Sequence, residues 1–333
     1  MDIDIVYTWV NEKDLEWKKR RQEFAKKETG IDLQYRAGEA RFQDNNELRY
    51  SLRSIEKYFP SVRNIFIVHT GAAPEWLKNN NQDLFFISQE SILPSHCRPV
   101  YQSDVIEAFL YKIPGLAEHY IYANDDFFFC HPHQVSDFFD SEGRARVGIR
   151  QRLAGEGKKA ALTFRQSERN SARAIKKHIT IPKPITVSYP WIPLPIRCML
   201  KKCLPINTMA HVAQPFRKSI WEDFHNVFSE EIKILCQSRF RSPNGFATNL
   251  MANHYALSIG KAVFDYQDQN DYLGRGQPLE DRIAFKKDLQ ENSSKIRRFC
   301  LNDEVSNGED GWNDYVSELL NGFFPEPSRW EIV

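Results

Sequence analysis

The sequence predicts an α/β fold built on a largely parallel, doubly wound sheet, with a basic, proline-rich insertion and helices toward the C-terminus. Three observations predict it. Short runs of β-branched and aromatic residues alternate with helical patterns through residue 130. Turn residues such as Pro60, Thr70-Gly71 and Pro114-Gly115 separate them. Two adjacent carboxylates, Asp125 and Asp126, interrupt a run that otherwise reads as a buried strand, at the kind of strand end where such sheets bind ligands.

The elements follow in order. Ile3 to Val10 is a short apolar run that reads as a first buried strand, and Asn11 opens a polar loop. Asp44 with Glu47 forms a capping-box signature, after which Leu48, Leu52, Ile55 and Phe59 recur at helical spacing until Pro60. Asn64 to Val68 and Leu84 to Ile87 read as the next two strands. Ser103 is placed to cap a helix carrying Ile106, Leu110 and Ile113. The strand with the Asp pair comes next. Six prolines from 182 to 205 rule out a regular helix or central strand there. Trp221, Phe224, Phe228, Ile232 and Leu235 predict one amphipathic helix and residues 250–259 a second. Phe299-Cys300-Leu301 is a late apolar piece. The organisation is a core over 1–140, an insertion or lid over 141–210, a helical part completing the site over 211–303 and a tail over 304–333.

Composition narrows the function classes. The 333 residues are 41% apolar and 13% aromatic, enough for a large core. A formal net charge of +1 argues against a general nucleic-acid binder. The charge is unevenly spread: Arg144 to Lys183 holds twelve Lys or Arg against two Glu, and Arg165, Arg169 and Arg173 share a helical face. That face suits a polyanion, a phosphorylated acceptor or an anionic membrane, and a solvated surface helix is the plain alternative. Six cysteines are scattered without the short paired spacings of zinc sites or disulfide scaffolds, which fits a reducing, cytoplasmic location. Neither a secretory signal nor an apolar run of membrane-spanning length is visible, and peripheral contact with a membrane is left open.

Candidate site residues cluster at predicted strand and helix ends. Buried carboxylates need compensation, and Asp125 and Asp126 are placed to hold a divalent cation, Mg²⁺ or Mn²⁺, against the phosphates of a nucleotide, with a turn after an edge strand the plain alternative for the pair alone. Asp44 and Asn45 open a helix whose Arg49 and Arg53 stand four apart. A helix start with two Arg can cradle a diphosphate, although the two can equally pair with core carboxylates. Thr8, Trp9 and Asn11 end the first strand, where a base and ribose would dock, with core packing the plain alternative for Trp9. Cys130-His131-Pro132-His133 has metal-ligand residue types but no partner pair, and reads as a loop.

Four blocks of the chain resemble the Stealth family of sugar-1-phosphate transferases. The first is Ile3 to Asn11. The second runs from Arg41 through Asp44, Asn45, Glu47, Arg49 and Arg53 to Trp76-Leu77, continuing through Ser103, Glu107, Ile113-Pro114-Gly115-Leu116 and Asn124-Asp125-Asp126. The third runs from His211 to Arg241, and the last is Cys300-Leu301-Asn302-Asp303. The sequence departs from the family pattern at Gln43, where a basic residue is usual, and at Glu12-Lys13, where Gly-Ser is common.

The resemblance implies a Rossmann-like, nucleotide-sugar-transferase-type fold and a nucleotide-sugar-binding core. It implies transfer of a hexose-1-phosphate or N-acetylhexosamine-1-phosphate, from a nucleotide sugar of UDP type, to a glycan or lipid-linked glycan during capsule or exopolysaccharide synthesis. Glu107, Asp126, His211 and Arg241 match the family's functional positions. Spacing alone makes Glu107 a solvated helix residue and His211 a structural one. The base is open between Glu107 and His211, and Arg241 would bind phosphate oxygens. Asn302 and Asp303 are placed to reach the site from the other end of the chain, Asp303 as a metal ligand. The alternatives are a metal-dependent glycosyltransferase releasing UDP and a catalytically dead glycan-binding protein.

Overall fold

The computed structural model describes residues 1–27, 42, 44–153, 162–180, 205–209, 211–265, 271–275, 279–291, 296–302 and 311–332, some of them in backbone alone. The central sheet has the order β3-β2-β1-β4-β8. Its strands are β1 (Ile3–Val10), β2 (Asn64–Thr70), β3 (Leu84–Ser88), β4 (His119–Asn124) and β8 (Gln214–Arg217). The first four are parallel, and β8 closes the edge antiparallel to β4. The chain therefore steps outward from β1 to β3, then returns to place β4 on the opposite side of β1. That reversal opens a crevice outside the carboxyl ends of β1 and β4, the usual ligand position in such sheets.

The apolar run with two embedded carboxylates is not one strand. It splits into β4 and β5 (Phe127–Phe129), which belong to different sheets. Strand β5 pairs with β11 (Arg298–Asn302), which pairs with β10 (Asp271–Arg275). Asp125 and Asp126 are thus the bend between two sheets. A third small sheet sets β6 (Ala145–Leu153) between β7 (Pro205–Met209) and β9 (Ala262–Asp265).

The helix Glu47–Tyr58 covers the sheet with Leu48, Leu52 and Ile55, each at most 1% exposed. Its small polar residues join the two sheets: the Tyr7 hydroxyl lies 2.6 Å from Ser51 Oγ, Ser51 donates to the carbonyl of Phe127, and Phe129 N donates to Ser54 Oγ. The predicted capping box does not form. The N-cap is Asn46, in the left-handed region at φ 64°, where Asn is among the few tolerated side chains, while Asp44 Oδ1 accepts from Asn46 N at 2.8 Å.

Two other helices are shorter than predicted. The segment capped in the sequence reading by Ser103 is helical only over Ser103–Glu107, with Gln102 at the N-cap and no side-chain cap, and it reforms as a 3₁₀ turn at Leu110–Lys112. The stripe from Trp221 to Leu235 breaks at Phe228 into helices Lys218–Val227 and Ser229–Cys236, although all five stripe residues stay buried. The basic helix is present as Leu162–His178, with Arg173, Lys176 and Lys177 exposed. The proline-rich stretch of the insertion, residues 181–204, lies outside the described residues. In the predicted tail, the helix Trp312–Phe323 packs through Trp312, Val316, Leu319 and Leu320, and Trp330 and Glu331 are 2% and 0% exposed. Among the described residues no helix is long and apolar enough to cross a membrane.

Candidate active site

Asp44, Glu47, Asp125 and Asp126 gather at the carboxyl ends of β1 and β4. Burial lifts the Asp126 carboxyl to about 7, with the Glu47 charge adding to the rise and a hydrogen bond from Cys300 opposing it. Burial also lifts Glu47 to about 8, followed by the charge of Asp125. Asp125 stands well above the carboxylate range through burial first, then Asp126 and Asp44. The charges that act most strongly on Asp125 are thus other carboxylates, an arrangement that costs folding free energy unless a cation enters.

The bend is held from the far end of the chain. Cys300 Sγ donates to Asp126 Oδ2 at 3.2 Å, and Leu301 N donates to the Asp126 carbonyl at 3.0 Å. His211 stands edge-on to Phe127 with centroids 5.0 Å apart, and one ligand atom each from Asp126, His211 and Cys300 lie within 4.8 Å of one another. Asp126 Oδ1 is buried and accepts no hydrogen bond among the described residues. A free carboxylate oxygen beside a second carboxylate fits a hard divalent cation, with Asp125 and Asp126 as its ligands.

Glu107 forms a second buried group against the same strands. It is 7% exposed, not solvated. Burial raises its carboxyl to about 8, the charge of Asp104 adds to this, and Tyr122, Ser103 and Arg241 pull the other way. Tyr122 Oη lies 3.0 Å from Glu107 Oε1, 2.7 Å from Asn124 Oδ1 and 3.0 Å from Thr8 Oγ1. One phenol has one proton and cannot donate to both Glu107 and Asn124. A protonated Glu107 donating to Tyr122, which then donates to Asn124, would satisfy both contacts, as would Tyr122 donating to an ionised Glu107 while the Asn124 amide group turns its NH2 to Tyr122. Arg241 reaches this group from the loop after helix Ser229–Cys236, with Nε 3.9 Å from Asp104 Oδ2.

The structure therefore brings Asp126 to His211, and Glu107 to Arg241, with Tyr122 and Asn124 of β4 and Thr8 of β1 hydrogen-bonded beside Glu107. Other predicted residues take supporting places. Trp9 is 4% exposed, edge-on to Phe86, and its indole donates to Asp44 Oδ2 at 3.2 Å. Asn45 donates through its main chain and side chain to Glu47. Asn11 ties its loop to the end of β2 by donating to the Ala72 carbonyl at 3.0 Å. Asn302 ends β11 in register with Arg275. Asp303 lies outside the described residues.

Arg49 and Arg53 do not form a phosphate cradle. Both turn to Glu331: Arg49 Nε pairs with Oε2, and Arg53 bonds through Nε at 2.6 Å and through Nη2 at 2.8 Å. Of the two alternatives open in the sequence, pairing with a core carboxylate is the one observed. Sequence reasoning missed Glu47, Tyr122 and Cys300 as site residues. Glu47 was absorbed by its capping signature, whereas Cys300 lay in a recognised block without an assigned role.

Three stretches match models of one family, described as Stealth protein CR1, conserved region 1, over residues 1–29; CR2, conserved region 2, over 41–147; and CR3, conserved region 3, over 210–258. The second contains Glu47, Glu107, Asp125 and Asp126, and the third contains His211 and Arg241. The capsular polysaccharide phosphotransferase fcs1 of Haemophilus influenzae is 31% identical over 97% of this chain and 84% of its own length. The capsular polysaccharide phosphotransferase SacB of Neisseria meningitidis serogroup A is 29% identical over 99% of this chain, which spans only 57% of SacB. The galactosyltransferase LgtC, solved with donor and acceptor sugar analogues, is a distant likeness, 10% identical over 98% of both chains with a TM-score of 0.46.

Proposed function

The chain belongs to the Stealth family and, like its named relatives, is a phosphotransferase; from that premise we propose that it moves a hexose-1-phosphate or N-acetylhexosamine-1-phosphate from a UDP-type nucleotide sugar to a glycan hydroxyl. The product is a phosphodiester within a bacterial surface polysaccharide, and the nucleoside monophosphate is released. One observation carries this reading. Two acids with raised carboxyls, half-buried Asp126 and buried Glu107, are each accompanied by a basic residue of the third conserved region, His211 and Arg241 respectively.

In this reading the acceptor oxygen bonds to the sugar-bearing phosphorus while the bond from that phosphorus to the bridging oxygen breaks, leaving the nucleoside monophosphate with the electron pair. His211, at the solvent-facing side of the cluster, takes the acceptor proton. In its protonated form Glu107 turns its one proton from Tyr122 to the phosphoryl oxygens, and Arg241 supplies positive charge. Asp125 and Asp126 would hold Mg²⁺ or Mn²⁺, which neutralises diphosphate charge when bound. The exposed basic face of helix Leu162–His178 is assigned to an anionic acceptor glycan.

The test is to incubate the protein with UDP-N-acetylglucosamine and a panel of other nucleotide sugars, Mg²⁺ and a capsule-type acceptor, and to identify the released nucleotide chromatographically. UMP together with acceptor phosphorylation supports the proposal. UDP would move the bond cleavage to the sugar carbon and overturn it.

A further inference from the structure

We propose that His96, Cys97 and Cys236 form a second metal centre, for a soft divalent cation of the zinc type, and that this centre fastens the segment that carries Arg241. The short spacings that mark zinc sites in a sequence are absent, because the two cysteines lie far apart along the chain. The fold brings them together. One ligand atom from each of the three residues lies within 4.8 Å of the other two. Cys97 and Cys236 are 1% and 2% exposed, whereas His96 is exposed and leaves the group a route to solvent.

Two thiolates and an imidazole are three of the four ligands of a tetrahedral zinc site, and water can complete it. Arg239, Lys112 and Arg98 place positive charge near Cys97. That positive charge disfavours a cation held by charge alone, such as Mg²⁺, and leaves metal–sulfur bonding as the source of affinity. Any thiol proton still present at binding passes to solvent.

The position gives the centre a purpose. Cys97 ends a 3₁₀ turn, Ser95–Cys97, and Cys236 ends the helix Ser229–Cys236. From there the two segments run side by side toward the active site. Tyr101 N donates to the Arg239 carbonyl at 2.8 Å, Gln102 Nε2 to the Ser238 carbonyl at 2.7 Å, and Tyr101 stacks on Phe240 with centroids 5.0 Å apart. The same pair of segments ends with Arg241 beside Asp104 and Glu107. A metal at the far end would pin both.

The test is metal analysis of the purified chain after zinc chloride loading and gel filtration, followed by exchange with Co²⁺. The expected result is one zinc per chain and a thiolate-to-cobalt charge-transfer band. Asp126→Asn should keep both, Cys236→Ser should lose the band, and the exposed His96→Ala should bind at least tenfold more weakly. Absence of zinc from the wild type, or equal binding by His96→Ala and Cys236→Ser, would overturn the proposal. So would an intact mass two hydrogens short, mapped to a Cys97–Cys236 disulfide in place of bound metal. Wild-type cobalt spectra need no variant, so a misfolded Cys236→Ser cannot mask the answer. Failure here leaves UMP release untouched, because the carboxylate site does not depend on these ligands.

Discussion

Glu47 and Arg53 lie on one helix, less than two turns apart, and each is 7% exposed, yet their surroundings treat charge in opposite ways. Arg53 and Arg49 share Glu331, which also accepts from Ser328 N at 2.8 Å, so every charge in that group has an opposite partner. Burial pushes the Glu331 carboxyl up, but bonds from Arg53, Ser328 and Arg49 outweigh it and hold it near 2. Glu47 faces the other way, into a group of acids, and is pushed to about 8. Paired buried charges secure the C-terminal strap to the core. Crowded acids whose strongest charge neighbours are other acids lower stability and are held in place by the rest of the fold, as at sites that bind a cationic ligand. Asp4 makes the same point along β1: at the amino end it is fully buried but bonded to Arg63 Nε and Nη2 at 2.9 and 2.7 Å, whereas the carboxyl end carries the acids of the crevice.

The largest effect that would break the comparison is on turnover. Asp126→Asn and Glu107→Gln should each lower kcat by about 10³-fold or more, while leaving thermal stability equal or higher, because each removes an acid that folding holds at a cost. A variant that loses activity only because it unfolds would show that the crevice acids are structural. Circular dichroism melts beside the nucleotide-release assay separate the two outcomes.

The Glu331 group should behave in reverse. Glu331→Ala leaves two Arg side chains facing each other and should destabilise the fold by about 3 to 5 kcal/mol, read as the shift in a urea unfolding midpoint. The pH dependence has a definite sign. A carboxyl at about 2 in the folded chain and 4.5 in the unfolded one adds roughly 3 kcal/mol, fully present above 4.5 and lost as pH falls toward 2. Glu331→Gln should flatten that acid limb. Equal acid sensitivity in wild type and Glu331→Gln would place the acid-labile contacts elsewhere.

A smaller, opposite change is expected at Glu47. In the absence of divalent cation, Glu47→Gln should raise stability at neutral pH by about 1 to 3 kcal/mol, because a neutral amide avoids first the cost of burying a carboxylate and then the charge of Asp125. Added Mg²⁺ should narrow the gap by stabilising the wild type more. A Glu47→Gln variant less stable than wild type in chelator would mean that the bonds to Asn45 outweigh the crowding.

These two groups were unequally legible in the sequence. Strands β1 to β4 announce themselves because buried parallel strands are continuous apolar runs, and the Asp pair stood out against such a run. The partner of Arg49 and Arg53 did not, since Glu331 lies in a segment with no pattern of its own and charge pairing across the whole chain leaves no local signal. Glu107, His211 and Arg241 entered through family resemblance, which also singled out Asp126 within the pair, and periodicity alone pointed Glu107 to solvent. The helix carrying it stops after Glu107, where a helical stripe had been expected to continue to Ile113, so its burial follows from a break that the apolar spacing concealed. The left-handed Asn46 was hidden behind the capping signature of Asp44 and Glu47.

The smallest effect tests the link between the two halves of the crevice. Tyr122→Phe removes the hydroxyl shared by Glu107, Asn124 and Thr8 but keeps the ring that fills the core. If Glu107 donates to that hydroxyl, its loss frees the proton without leaving a buried charge, so folding should change by about 1 kcal/mol and kcat by roughly tenfold. If Glu107 were ionised and accepting, the same change would strip a buried carboxylate of a donor and cost about 2 kcal/mol or more in stability. Melting and turnover of this one variant therefore decide which partner holds the proton. With it they decide whether Glu107 can supply a hydrogen bond to the phosphoryl group or must compete with His211 for the acceptor's proton.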